Sequence, residues 1–242
     1  MVDKYISPSA ISAYMSCPRR FYYYYNEYPR IEYETDYLLV GGIVHKIIAR
    51  YYEIVPNYAT PTEVKMYVTK AYKELMTPKY EPFRERIESL LLNFIDFEKK
   101  RLTMNMPAKP IAVEKEFVKE PVHGIVDALF RRLDGRYVVV DWKTGRKGRL
   151  TDDIIIQMQV YLYLTGAEEA LVVFLSTGGF SRVTRDNRID INAIIKEILS
   201  DRKFLPMPKK PYYCETCQFQ IICKFDREQM DVTDYSFWDG LR

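Results

Sequence analysis

The alternation of apolar and polar residues along the chain changes period near Pro110. Before that point the pattern is helical. In "GGIVHKIIARYYE", Ile43, Ile47, Ile48 and Tyr51 recur at the three- and four-residue steps of one helix face. Ser7-Pro8 sets a capping hydroxyl ahead of a proline at a first helical position, and Pro18 opens a second short helix after Cys17. Thr60-Pro61-Thr62-Glu63 has the form of a capping box, and an amphipathic stretch runs from about Pro82 to Met104. After Pro110, "IAVEKEF", "VHGIVDALFRRL" and "RYVVVDWK" predict three strands rich in Val, Ile and aromatics, with Asp134-Gly135 turning the second into the third. "TDDIIIQMQVYLYL" predicts a helix capped by Thr151 with acids in its first turn, "ALVVFL" a buried strand and "DINAIIKEIL" a further helix. The order predicts an α/β fold in three parts: a helical N-terminal lobe over 1–108, a sheet core over 109–205 and a cysteine-rich segment over 206–242.

Composition changes this picture little. The chain has 242 residues, 48% hydrophobic and 29% charged, enough for one sizeable core with an appended lobe. Its 36 basic residues face 33 acidic ones, so charge alone does not select nucleic acid as a partner. The basic clusters Arg19/Arg20, Lys99/Lys100/Arg101, Arg146/Lys147/Arg149 and Lys209/Lys210 fit solvated helix ends as well as a phosphate backbone. No apolar run reaches membrane-spanning length and the start has no apolar signal core, so a soluble, cytoplasmic protein without a membrane partner is expected. In a reducing compartment, four cysteines argue for metal ligation over disulfides.

Candidate chemistry concentrates in the hairpin. Asp127 interrupts an apolar strand, and Asp141 and Lys143 close the next one on a shared face. A lone buried carboxylate costs several kcal/mol, roughly, unless it is paired or holds a cation. Two carboxylates beside a lysine would make a hard-oxygen cation site with a base or water-positioning group next to it. The alternative is plain strand-end capping with an ordinary salt bridge. Register separates the two: a two-residue Asp134-Gly135 turn sets Asp127 opposite Trp142, on the wrong face. An odd loop, with Gly135 at a bulge, sets it opposite Lys143 on the shared face.

Asp127, then Asp141-x-Lys143, then a helix carrying Gln157 and Tyr161 four residues apart resembles the RecB branch of the PD-(D/E)XK nucleases. "GGIVH" resembles that branch's Gly-x-x-x-His element. The resemblance implies a restriction-endonuclease-like mixed sheet flanked by helices. It also implies that His45, Asp127, Asp141 and the backbone carbonyl of Trp142 hold Mg²⁺ or Mn²⁺. The cation would polarise the scissile phosphate and lower the pKa of water, Lys143 would orient or deprotonate that water, and Gln157 and Tyr161 would position the phosphate or the lysine.

Cys214-x2-Cys217-x5-Cys223 is a metal-ligand spacing that needs a fourth ligand, and Cys17, with 196 residues between it and Cys214, is the other cysteine of the chain. Zinc is one occupant. This arrangement resembles the iron–sulfur staple of AddB-type and CRISPR-associated nucleases, which implies a [4Fe–4S] cluster. "SPSAISAYMSCPRRFYYYY" is similar to the opening segment of that group, and the chain carries no Gly-x-x-x-x-Gly-Lys-(Ser/Thr) motor loop. A free-standing nuclease of this kind resembles the CRISPR-associated Cas-four family of DNA exonucleases. That implies single-stranded DNA, or DNA ends with overhangs, as substrate, spacer processing as the role and CRISPR adaptation proteins as partners. A RecB-like nuclease of general repair, or a catalytically silent DNA-binding or adaptor subunit with an iron–sulfur or zinc site, stays open beside it. A redox protein leaves the acidic hairpin unexplained. In the tyrosine run, Phe21, Tyr24 and Tyr25 are expected inside, with Arg19 and Arg20 on phosphates.

Overall fold

The computed structural model describes residues 6–27, 35–104, 106–146, 148–210, 212–215 and 217–229. In chain order the elements are α1 (Pro8–Ser16), α2 (Pro18–Tyr22), a π turn (Tyr23–Glu27), α3 (Asp36–Ile54), α4 (Val64–Leu75), a 3₁₀ segment (Pro78–Phe83) and α5 (Arg84–Arg101). There follow β1 (Ala112–Lys119), β2 (Val122–Arg131), β3 (Tyr137–Lys143), α6 (Asp152–Thr165), β4 (Glu169–Phe174), β5 (Gly179–Thr184), α7 (Ile191–Ser200), α8 (Tyr212–Glu215) and α9 (Gln220–Gln229). By contact the chain forms two compact units, one from residues within 1–31 and 192–242, the other from residues within 32–191. The boundaries expected at 108 and 205 fall inside these units. Among the described residues no helix is long and apolar enough to cross a membrane.

The first unit joins the two ends of the chain. Ser7 caps α1, its Oγ accepting from the Ala10 N–H at 3.2 Å, and Pro8 follows at the first helical position. Phe21 and Tyr23 are fully buried, whereas Tyr22, Tyr24 and Tyr25 are half-buried. Tyr23 is buried in place of Tyr24 and Tyr25 because, two residues on from Phe21, it points to the opposite side of the helix, where Phe219 covers it. Phe204 stacks on Phe21 and Tyr22, with centroids 5.7 and 5.4 Å away, and Phe219 meets Tyr23 at 5.3 Å. The Tyr14 hydroxyl donates to Asp201 Oδ2 at 2.9 Å and the Lys209 N–H to the Ser16 carbonyl at 2.9 Å.

The second unit is a five-stranded sheet in the order β1-β2-β3-β4-β5, antiparallel except for the parallel β3–β4 pair. Period-two alternation sorts its side chains to two cores. Val138, Val140, Trp142, Leu171 and Val173 face a layer of α3, α4 and α5, while Val139, Ala170, Val172 and Phe174 face α6. Covered on both faces, β4 is buried along its whole length. β5 is a strand the apolar pattern did not predict: an edge strand, in which only Val183 is buried. The Thr60–Glu63 box closes before the helix instead of capping it. The Glu63 carboxylate accepts from the Thr60 N–H and hydroxyl at 2.9 and 2.7 Å, and α4 starts at Val64. Within the helical layer, Glu98 and Arg101 form a fully buried pair. Tyr51 and Tyr52 donate to Glu98, and the carbonyls of Pro107 and Ala108 accept from Arg101, so the charges are satisfied on every side.

The hairpin β1–β2 exchanges faces part-way along. Val113 and Ala128 belong to the α3–α5 side, but Phe117 and Val126, of the same parity, belong to the α6 side. The exchange falls at Glu114 and Asp127, the rung the ladder skips between Val113↔Ala128 and Lys115↔Val126. Glu114 adopts φ +43°, a left-handed conformation that costs a non-glycine residue about 1 kcal/mol or more.

Candidate active site

The hairpin loop between β2 and β3 is odd. Arg132 and Arg136 bond across it, the Arg132 N–H donating to the Arg136 carbonyl at 2.8 Å, and Gly135 takes φ +88° inside it. The ladder from Arg131↔Tyr137 to Ala128↔Val140, continued one step, sets Asp127 opposite Asp141. The shared face is as expected of an odd loop; the partner is Asp141 instead of Lys143, because the three-residue loop is centred on Asp134, one residue earlier than Gly135. Past Val140 the strand pairing gives way to a side chain: Asp127 Oδ2 accepts from the Trp142 N–H at 2.8 Å.

From the other side of the sheet, α3 delivers His45. Its Nε2 lies 3.0 Å from the Trp142 carbonyl, and its Nδ1 lies 3.3 Å from Glu114 Oε1 and 3.6 Å from Asp127 Oδ1. Both ring nitrogens thus face acceptors. Burial works against the charged ring, but the hydrogen bond to Glu114 and the charges of Asp127, Glu114 and Asp141 outweigh it and push the imidazole pKa up to about 9. Asp127 is also displaced upward, by burial first and then by the Asp141 carboxylate, with His45 and the Trp142 N–H pulling the other way. Two carboxylates pushed together in a buried place are a costly arrangement for the fold and a useful one for a cation.

Lys143 ends β3 beside them. Its ammonium donates to Gln157 Oε1 at 2.6 Å, and Gln157 Nε2 donates to the Tyr161 hydroxyl at 3.0 Å. These two residues sit one turn apart on α6 and share its sheet-facing side. Burial and the charges of Asp141 and Asp127 hold the Tyr161 phenol firmly protonated. The ammonium also lies 2.8 Å from Asp141 Oδ2, yet off any hydrogen-bonding direction, so that oxygen is buried with an ionic neighbour and no hydrogen bond.

His45, Glu114 and Asp127 each bring a ligand atom within 4.8 Å of the others. Carboxylates, an imidazole and a nearby carbonyl are a hard donor set, and Asp141 Oδ2, which has the Lys143 ammonium beside it but no hydrogen bond, is a further acceptor. The residues fit Mg²⁺ or Mn²⁺. Glu114 is the member that the sequence pattern did not single out. In "IAVEKEF" it is one of two alternating acids, and nothing local marks the positive φ that turns it toward His45.

The first unit holds a second cluster. A cavity of about 240 Å³ is lined by Cys17, Cys214, Cys217 and Cys223, with Arg19 and Arg20 among its other walls. None of the four cysteines is in a disulfide. Burial raises the Cys17 thiol pKa and the nearby Cys223 adds to this, while main-chain hydrogen bonds from Arg20, Arg19 and Met207 act to lower it. Arg19 is 7% exposed and stacks over the rings of Tyr22 and Tyr23, which places it in a wall of this cavity and not on a phosphate-facing surface. Four thiols lining one cavity fit a metal centre held by sulfur.

Comparison with known proteins follows the same lines. The CRISPR-associated exonuclease Cas4 of Saccharolobus solfataricus is 26% identical over 104 residues, 42% of this chain and 52% of that protein. The match thus spans about half the length of that curated relative. Among solved structures, SSO0001 is similar at 20% identity over 76% of this chain and 83% of that one, with a TM-score of 0.37. The alkaline exonuclease of Laribacter hongkongensis is similar at 11% identity over 93% of both chains, with a TM-score of 0.35. The PD-(D/E)XK nuclease superfamily is matched over residues 5–224, and with that match spanning both the acidic hairpin and the cysteines, the chain belongs to this superfamily.

Proposed function

We propose that the protein is a metal-dependent deoxyribonuclease that trims single-stranded DNA, or single-stranded overhangs, from an end, and that it serves CRISPR spacer acquisition. The carrying observation is the convergence at the end of β3 of Asp127, Asp141, His45 and the Trp142 carbonyl beside a lysine that is itself held by Gln157. Action from an end and the CRISPR role are supported by the likeness to a CRISPR-associated exonuclease.

In this reading Asp127, Asp141, His45 and the Trp142 carbonyl hold Mg²⁺ or Mn²⁺, and Glu114 fixes the His45 ring through Nδ1. The ion supplies charge neutralisation at the phosphate and makes water more acidic at neutral pH. The Lys143 ammonium orients the attacking water and balances charge in the transition state. Gln157 keeps the Lys143 ammonium aimed at the site, and the neutral Tyr161 hydroxyl keeps Gln157 from rotating. Cys17, Cys214, Cys217 and Cys223 hold a structural [4Fe–4S] cluster, a reading supported by the four-cysteine cavity and the main-chain hydrogen bonds aimed at Cys17.

The test is degradation of end-labelled single-stranded DNA by anaerobically purified protein with and without Mn²⁺. Shortening from one end is expected with the ion alone, and Lys143→Ala should slow it by about 10²–10⁴-fold. Degradation that continues at the wild-type rate in Lys143→Ala moves the active site elsewhere.

A further inference from the structure

Tyr37 lies in the first turn of α3 with 45% of its surface exposed, and guanidinium groups from two other segments converge on its ring. Arg86 of α5 places its Cζ 4.3 Å from the ring centroid, and Arg146, three residues past β3, places its Cζ at 5.2 Å. Neighbouring Arg84 is tied to Glu81 and Glu88, at 2.6 and 3.5 Å. Among the described residues neither Arg86 nor Arg146 has such a carboxylate partner, so both keep their N–H groups for something else. An exposed aromatic ring with two unneutralised guanidinium groups is the chemistry that holds a nucleic-acid strand: bases stack on rings and guanidinium planes, and phosphates take the N–H groups.

Its position relative to the active site is set by a seam between α3 and the segment that follows Trp142. His45 Nε2 is 3.0 Å from the Trp142 carbonyl. One turn earlier Gly41 faces Thr144, so closely that a Cβ there would come to 3.0 Å from Thr144 Oγ1. One turn earlier again, Tyr37 meets Arg146. The three contacts recur every four residues of α3, a rise of about 6 Å, against every two residues of the segment from Trp142 to Arg146. Tyr37 is therefore about 12 Å along α3 from His45. That is the rise of three to four stacked nucleotides at about 3.4 Å each, or of fewer in a stretched strand.

We infer that Tyr37, Arg86 and Arg146 form a strand-holding subsite for single-stranded DNA, a few nucleotides from the bond that is cut. The inference rests on the strand-cleaving function proposed above and adds a positioning site to it. Tyr37 supplies a stacking surface, and the two arginines each take a phosphate.

The experiment is fluorescence anisotropy of a labelled 20-nucleotide strand with the full-length protein in EDTA, repeated over a series of salt concentrations, with cleavage in Mn²⁺ measured in parallel. Tyr37→Ala should weaken binding about tenfold or more, and Tyr37→Trp should restore it. Arg146→Gln and Arg86→Gln should each lower the slope of log affinity against log salt by about 0.7, the counterion share of one phosphate on a single strand. Unchanged affinity in Tyr37→Ala together with unchanged slope in Arg146→Gln, with wild type still degrading the strand, overturns the subsite and leaves the nuclease assignment standing. Weakened binding in the variants with no degradation by wild type upholds the subsite and removes the cleavage assignment. Arg146 is exposed, so its variant reads the subsite even if a Tyr37 variant does not fold.

Discussion

Asp127 shows at the scale of one residue what the site demands of the fold. Its carboxyl is raised above the usual range by burial and by Asp141. For an acid whose pKa is higher in the folded than in the unfolded state, ionisation favours unfolding, so at neutral pH the charge weakens the metal-free fold. Asn keeps an oxygen to accept the Trp142 N–H and removes the charge. Asp127→Asn should therefore melt at or above the wild-type temperature in EDTA, while losing both the Mn²⁺-induced rise in melting temperature and DNA degradation. A marked fall in the metal-free melting temperature would reduce Asp127 to a structural cap. Glu114 makes a different demand. Glu114→Gln should lower Mn²⁺ affinity about 10–100-fold by calorimetry, the usual cost of losing a carboxylate behind a histidine ligand; unchanged affinity would free His45 from its influence. The two acids also differ in legibility. Asp127 was readable because a charge inside an apolar strand is conspicuous, and because Asp141, Lys143, Gln157 and Tyr161 follow at periods that a strand and a helix dictate. Glu114 was not, since its role depends on a backbone torsion and on a pairing with β2 that no local pattern encodes.

Among the elements, α3 decides whether the site assembles, and its two adjacent glycines do separate jobs. Both lie inside the helix, where Gly costs about 0.8–1.0 kcal/mol relative to Ala. Nothing lies within 4 Å of a Cβ at Gly42, whereas one at Gly41 would crowd Thr144. Gly42→Ala should therefore stabilise the protein by about 1 kcal/mol in urea titration without changing cleavage. Gly41→Val should wedge α3 away from the end of β3 and lose cleavage and Mn²⁺ affinity together, because the same seam carries His45 to the Trp142 carbonyl. Full activity in Gly41→Val would mean the seam is looser than its 3.0 Å approach implies. The Gly-x-x-x-His spacing was visible in the sequence, and its reason is this close approach. β5 was not visible, since an edge strand with one buried residue has no apolar alternation to read. The face exchange in β1–β2 was equally hidden: alternation continues through it in the sequence, while the side chains change cores.

For the whole molecule, the decisive fact is that the two chain ends make one compact unit while the sheet and its helices make another with two cores of its own. The cysteine pattern predicts a site shared between the two ends of the chain. What it did not foretell was the buried Arg19 in the cavity wall, a position that depends on Tyr22 and Tyr23 folding beneath its guanidinium. In the end unit, Phe204 and Phe219 pack on the tyrosine run, but α2 and α8 are only five and four residues long. Short helices of that kind are marginal without a cross-link. A cluster held by Cys17 on one end and by Cys214, Cys217 and Cys223 on the other would supply it, since a metal bound only in the folded state lends its binding free energy to folding. Cys17→Ser should thus remove the brown colour and the iron of the anaerobically purified protein and make both ends sensitive to protease. The sheet unit should survive as a resistant fragment with its own melting transition, because its cores do not draw on the cysteines. Stoichiometric zinc without iron in the wild type would replace the cluster by a mononuclear site, and unchanged metal content in Cys17→Ser would leave the two ends joined by their aromatic contacts alone.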